Sequence, residues 1–380
     1  MQKKIIALAI AAAISSPAFA DNANITVYGK AFLDIESVSN DKSTLSTATR
    51  VQTNASRLGF KGKEDLGDGL SGIYQFEVQL DADGNSGNGL GAGTRNSGVG
   101  LETGLGTVIF GVWDTPFKVA HNKVELFDNT TVFSALNLIG RAGGTKTTSA
   151  TSTTTNTATG AATITTTYAV SSVADYNTRQ KNVFQYWSPS LVGVKVNVSY
   201  SPDEGDAAGN AGTQGKNKSL TSLAATFDDH DLGIYVSAAY ESRPDATTAK
   251  TTDGATRLVA RYTLGDFWVG ATVESITVNT STTASYTQNN SELAAQYKLG
   301  ASSIGLSYAI AGATATASTG ANQASLRYGY NFSKRTEVFA AYTTLKNDTA
   351  GTYGFSAGTP FGTNAGSSQT AAGLGVIHSF

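Results

Sequence analysis

The sequence predicts an all-β fold, a sixteen-stranded antiparallel transmembrane β-barrel with long external loops and an inward-folded third loop. Three observations predict it. Apolar and polar residues alternate with a period of two from Asn24 onward, where a helix would need a spacing near 3.6. The alternating runs are about ten residues long, the length of a tilted strand across a hydrocarbon layer. Short and long connections follow one another in strict alternation, which places all short turns at one end of a sheet and all long loops at the other.

The first element is an address. Lys3 and Lys4 precede an apolar run from Ile5 to Ile14, and Ala18-Phe19-Ala20 gives the small-x-small pattern that a signal peptidase reads. Residues 1–20 are therefore expected to be a cleaved signal peptide, with residues 21–380 as the barrel. The apolar run is half the roughly twenty residues a spanning helix needs, and no later segment comes near it, so strands must make any membrane span.

The strands follow. Ile73 to Leu80, Val192 to Tyr200, Arg257 to Leu264, Glu292 to Leu299 and Gln323 to Phe332 each carry one apolar and one polar face. Tight turns sit at 67–69, 103–106, 189–191, 229–231, 265–266, 300–301 and 333–334. Longer polar stretches lie near 39–50, 82–94, 114–178, 202–218, 244–254, 280–288, 312–320 and 347–369. Seven turns and eight loops join sixteen strands. A soluble sandwich would also bury one face of each strand, but it has no reason to sort its loops by length. In lipid, backbone groups find no water, and closure into a barrel satisfies all of them. Tyr186, Tyr200, Tyr262, Tyr297, Tyr330 and Tyr342 lie near strand ends, where half-apolar rings suit membrane interfaces.

With apolar faces toward lipid, the polar faces line an interior too wide for side chains to fill. Alternation turns Lys30, Asp34, Arg57, Lys61, Glu77, Lys195, Arg257, Arg261, Glu292, Lys298 and Arg327 inward. The longest connection, 114–178, opens with Trp113-Asp114-Thr115-Pro116-Phe117-Lys118 and contains Glu125, Asp128 and the apolar run Val132 to Leu136. Folded inward, it would narrow the channel and set acidic loop residues opposite basic wall residues, creating a transverse field. Its Thr-, Ala- and Ser-rich part, 145–172, reads as a mobile external extension.

Composition excludes other classes. The 380 residues contain no Cys, which removes disulfides, thiolate metal sites and a cysteine nucleophile, and three His leave little for a His-rich centre. No cofactor is expected. A formal charge of -2 argues against a nucleic-acid partner. An enzyme would need a base on the inward face, and His121, His230 and His378 fall in a loop, in a turn and on an apolar face.

Several segments carry a family resemblance: Ile25-Thr26-Val27-Tyr28-Gly29, Ser56-Arg57-Leu58-Gly59-Phe60-Lys61-Gly62, Glu64 to Leu70, Val99-Gly100-Leu101, Arg179 through Pro189, Ser333 to Thr336, and Gly375 to Phe380. With them the chain resembles the general diffusion porins of Gram-negative bacteria, in the neisserial and betaproteobacterial branch. The resemblance implies a homotrimer among outer-membrane lipids, passing small hydrophilic solutes and ions, with the third loop in the lumen. It implies basic constriction residues Arg57, Arg95 and Arg179, faced by Glu77 and by the loop carboxylates Glu125 and Asp128. Other lumen residues would be Lys30, Asp34, Lys61, Arg257, Arg261 and Arg327. Arg95 shares parity with the lipid-facing Val99 and Leu101, so a bulge must turn it inward. Val112-Trp113 stands where many relatives carry Gly-Arg. The expectation is a mild anion preference, with a substrate-specific channel as the alternative. Phe380 looks like the terminal aromatic signal read by the outer-membrane assembly machinery.

Overall fold

The computed structural model describes residues 24–43, 46–84, 90–128, 131–155, 162–202, 219–246, 250–355 and 364–380. The expected signal peptide at 1–20 lies outside the described residues.

Sixteen strands form one closed antiparallel wall. They are β1 (Asn24–Asn40), β2 (Thr47–Thr53 continued by Arg57–Gly67), β3 (Leu70–Leu80), β4 (Leu90–Thr94 continued by Ser97–Thr103), β5 (Gly106–Asp114) and β6 (Arg179–Trp187). Next come β7 (Val194–Ser201), β8 (Leu220–Asp229), β9 (Ile234–Pro244), β10 (Thr252–Leu264) and β11 (Phe267–Asn279). The last are β12 (Ser285–Leu299), β13 (Ser302–Ala311), β14 (Ala321–Asn331), β15 (Thr336–Asn347) and β16 (Ser368–Ser379). Each pairs with its sequence neighbours, and β1 pairs with β16 from Lys30↔Ser379 to Asn40↔Gln369, which closes the cylinder. Gly29 and Phe380 exchange two backbone hydrogen bonds, of 2.9 and 3.1 Å, at this seam.

The alternation has the expected sense. Leu258, Val273, Leu293, Leu306 and Leu374 stand exposed on the outer surface, while their sequence neighbours point into the barrel. Exposing so many large apolar side chains to water would be costly, and hydrocarbon removes that cost. Outward Tyr200, Tyr240 and Tyr308 lie near the long-loop end; Tyr262, Phe267, Tyr297 and Phe332 lie near the short-turn end.

The third loop enters the barrel directly after β5. Thr115 caps a short helix, α1 (Pro116–Ala120), by accepting from the Lys118 N–H, and Pro116 occupies a position with no donor to satisfy. On one side Phe117, Ala120 and Val124 pack against Ala224, Tyr235, Ala239 and Val259 of β8–β10. On the other, Phe127, Val132, Phe133, Leu136 and Ile139 pack on Phe32, Phe339, Ala341 and Leu345 of β1 and β15. The wall makes room with glycine: a Cβ at Gly270 would sit 2.5 Å from Val124, and one at Gly373 2.9 Å from Phe133.

A loop inside a barrel cannot join the sheet, so wall side chains satisfy its backbone. Ser222 accepts from the Phe117 N–H (3.0 Å), Gln323 donates to Val132 O (3.0 Å) and Ser325 to Phe133 O (2.8 Å). The Thr-rich part differs from a bare loop extension. Its backbone pairs as a two-stranded hairpin, Arg141–Thr155 with Ala162–Asp175.

Candidate functional site

The loop leaves one polar gap against the β2–β6 wall. A cavity of ≈ 540 Å³ there is lined by Arg57, Arg95, Arg179 and Lys118 together with Glu77, Asp114, Glu125 and Asp128. The six residues singled out for this role in the sequence thus come together around one space.

All three arginines sit where a strand is interrupted. Arg57 follows the break at 54–56, in which Ala55 takes φ +50. Arg95 lies in the break of β4, and its N–H donates to Glu77 O at 2.8 Å. That irregularity turns its guanidinium inward despite the parity it shares with Val99. Arg179 precedes the register shift between Gln180 and Val183.

Glu77 holds the first pair of arginines. Arg95 Nε donates to its Oε1 at 2.5 Å, Arg57 Nε stands 3.6 Å from its Oε2, and the Tyr28 hydroxyl donates to Oε2 at 3.0 Å. Asp114 holds the second pair of cations, with Lys118 Nζ at 2.7 Å and Arg179 Nη2 at 3.2 Å. Arg179 Nε also donates to Asn96 at 2.7 Å. These contacts fix all three guanidiniums in place around the gap. Burial pulls the Lys118 amine below the usual lysine range, and the Asp114 carboxylate opposes that pull.

Across the gap, the loop carboxylates differ. Asp128, in the left-handed region at φ +64, forms an ion pair with Lys30. Glu125 is turned into the loop, accepting from Ser134 Oγ at 2.7 Å and from the Phe127 N–H at 2.9 Å, and burial raises its pKa. It therefore fixes the loop more than it charges the gap.

Three expected lumen residues need correction. Arg257, Arg327 and Asp34 point inward but are only 2%, 7% and 3% exposed, because the loop and neighbouring side chains cover them. Arg257 is bound twice by Glu274 Oε2 (2.8 and 2.9 Å) and donates to Phe117 O at 3.0 Å. Arg327 pairs with Glu337 at 2.8 Å, and Asp34 accepts from Asn54 at 2.9 Å. Arg261 lies across Trp268 at 4.4 Å and donates to Lys123 O at 2.7 Å, and Lys61 lies over the Tyr28 ring at 5.3 Å. The sequence reading also missed Lys118, four residues after Asp114 at the start of α1, a spacing that carries the signal. It missed His121 as well, whose Nε2 lies 2.5 Å from Glu292 beneath the loop. Burial lowers the His121 pKa to about 4. No feature of the sequence pairs those two residues.

A closed sixteen-stranded wall with an apolar exterior and a loop narrowing a charged lumen defines an outer-membrane channel barrel. The chain belongs to the Gram-negative porin family, whose model matches residues 7–350. It is 25% identical to outer membrane porin protein 32 of Delftia acidovorans over 388 aligned positions, covering 100% of both chains. Against the major outer membrane protein P.IB of Neisseria gonorrhoeae it is 31% identical over 135 residues, 34% of this chain and 37% of that protein. Among solved structures, the anion-selective porin from Comamonas acidovorans superposes with a TM-score of 0.75 at 23% identity, covering 94% of this chain and 100% of that one. That likeness carries the fold. The chain is an outer-membrane protein, and its family is one of channels rather than enzymes.

Proposed function

We propose that the chain is exported by its first twenty residues, assembles as a homotrimer through recognition of Phe380 by the outer-membrane assembly machinery, and passes small hydrophilic solutes with a mild preference for anions. No catalytic step is assigned to it. One observation carries the preference: four cations line the gap, and the acidic residues there are unequally available to a passing ion. Glu77 and Asp114 are each shared by two cations, Asp128 is paired with Lys30, and Glu125 is turned into its loop. An anion in transit thus meets guanidinium N–H groups, while a cation meets carboxylates already neutralised. The relative from Comamonas described as anion-selective supports the same reading.

The trimer rests on the family resemblance, and outward apolar residues on β1–β6, including Ile25, Val27, Phe76, Val99 and Phe110, suit either lipid or a second copy. Planar-bilayer recording of the purified protein tests the pore, its trimeric state and its ion preference. Openings in groups of three and a reversal potential of anionic sign under a salt gradient are expected. A clear cation bias would defeat the selectivity claim, and independent single openings would defeat the trimer.

A further inference from the structure

Below the constriction, toward the short-turn end, the lumen wall holds a second cavity, of ≈ 560 Å³. That volume falls within the roughly 300–1,000 Å³ usual for small-molecule sites. Its floor is a pair of tryptophans. Trp113 of β5 and Trp187 of β6 have ring centroids 5.3 Å apart and planes inclined by 57°, so together they form a wedge. Val119, on the underside of the third loop, closes the apolar side. Gln185, Asn197, Lys195, Glu102 and Thr107 supply a rim of hydrogen-bonding groups.

Two features set this cavity apart from ordinary packing. Strand parity turns Gln185 and Trp187 inward while Phe184 faces lipid at 42% exposure, so the cavity belongs to the lumen. Gln185 is only 2% exposed, yet its Oε1 has no hydrogen-bond partner. A buried carboxamide oxygen without a partner carries a desolvation cost that a ligand donor would recover.

We infer that this cavity is a binding subsite for a pyranose ring, placed on the path of solutes that have passed the arginines. An aromatic face takes the apolar C–H face of a sugar ring, and side-chain amides with both donor and acceptor capacity match neighbouring hydroxyls. An aromatic carboxylate would also stack, but Lys195 is the one cation among the lining residues and Glu102 opposes it, whereas Gln185, Asn197 and Thr107 offer uncharged donors and acceptors. The inference rests on the proposal that the barrel is an open pore, and it adds a solute class to that proposal.

The test is ion current through the reconstituted full chain, with methyl β-glucoside as the probe. Sorbitol (similar hydroxyls, no ring) and benzoate are the comparisons. The glucoside should block the current saturably, with half-block on the order of millimolar, and sorbitol should not. Trp113→Ala should weaken the block about fivefold, and Trp113→Phe should restore most of it. Should the alanine variant fail to assemble, tryptophan fluorescence of the unaltered protein provides a second reading. Of its three tryptophans, two line the cavity, and Trp268 instead donates to Gln296 at 3.1 Å. A saturable fluorescence change with the glucoside supports the subsite. Equal block by sorbitol, block by benzoate alone, or a steady current with neither block nor fluorescence change overturns it. A membrane that carries no current at all overturns the pore proposal beneath it.

Discussion

Arg57 is the lever on ion preference. Its side chain is 27% exposed and stands 3.6 Å from Glu77, while Arg95 approaches the same carboxylate at 2.5 Å. Arg57 thus has the least neutralised charge at the gap. For an ion passing about 5 Å away through water, a unit charge is worth ~0.8 kcal/mol. Screening over a Debye length of about 10 Å at 0.1 M salt leaves ~0.5 kcal/mol. Arg57→Gln raises the barrier for an anion and lowers it for a cation by that amount, so the permeability ratio should fall about fivefold. The assay is the reversal potential of reconstituted channels under a potassium chloride gradient. Arg57→Lys, which keeps the charge, should hold the wild-type potential. An unchanged potential in Arg57→Gln would refute the assignment of this gap as the selectivity-determining point.

Other consequences follow from the loop and its seat. Gly373→Val would drive a side chain into the Phe133 ring, which a Cβ alone would already meet at 2.9 Å. Overpacking should cost ~1–3 kcal/mol and release the loop, seen as noisier single-channel current, and quiet channels would argue against the seat. His121 carries a pH signature. Its folded pKa of about 4 lies below the usual 6.5, so the unfolded chain takes the proton first. Against an opposite slope from the buried Glu125 carboxyl beside it, the histidine's own contribution to stability should fall as pH drops from 6.5 toward 4, by up to ~3 kcal/mol, and then level off. His121→Gln should remove that slope from denaturation curves recorded across the range; an identical slope in the variant would contradict the burial argument. Deleting Phe380 removes both backbone hydrogen bonds to Gly29 and the ring over that glycine. The yield of heat-resistant oligomer in the outer membrane should drop, and full yield would clear Phe380 of a role in assembly.

Much of this architecture is legible because a barrel wall obeys local rules. Period-two alternation, turns such as Gly265-Asp266 and the strict order of short and long connections each depend on a few adjacent residues. The gap residues were legible for a different reason, the family resemblance carried by segments such as Ser56 to Gly62. Parity alone would have sent Arg95 into lipid, since a break in a strand leaves no mark on the alternation around it. Nor can alternation tell water from protein on the inner side. Arg257 and Arg261 have the same parity four residues apart, yet the loop covers only Arg257 almost completely. Burial there depends on Phe117, far away in sequence, and no window along the chain contains both.

The seam between β1 and β16 bears on the order of events during biogenesis. Its two edges are the first and last parts of the barrel to leave the ribosome, so every shorter nascent product is an open ribbon with two unsatisfied margins. Such a ribbon must be shielded in transit, since each margin can recruit a stray strand from another chain. Sealing is consequently a single late event, and a truncation of only a dozen residues at the far end should be as damaging as the loss of half the wall.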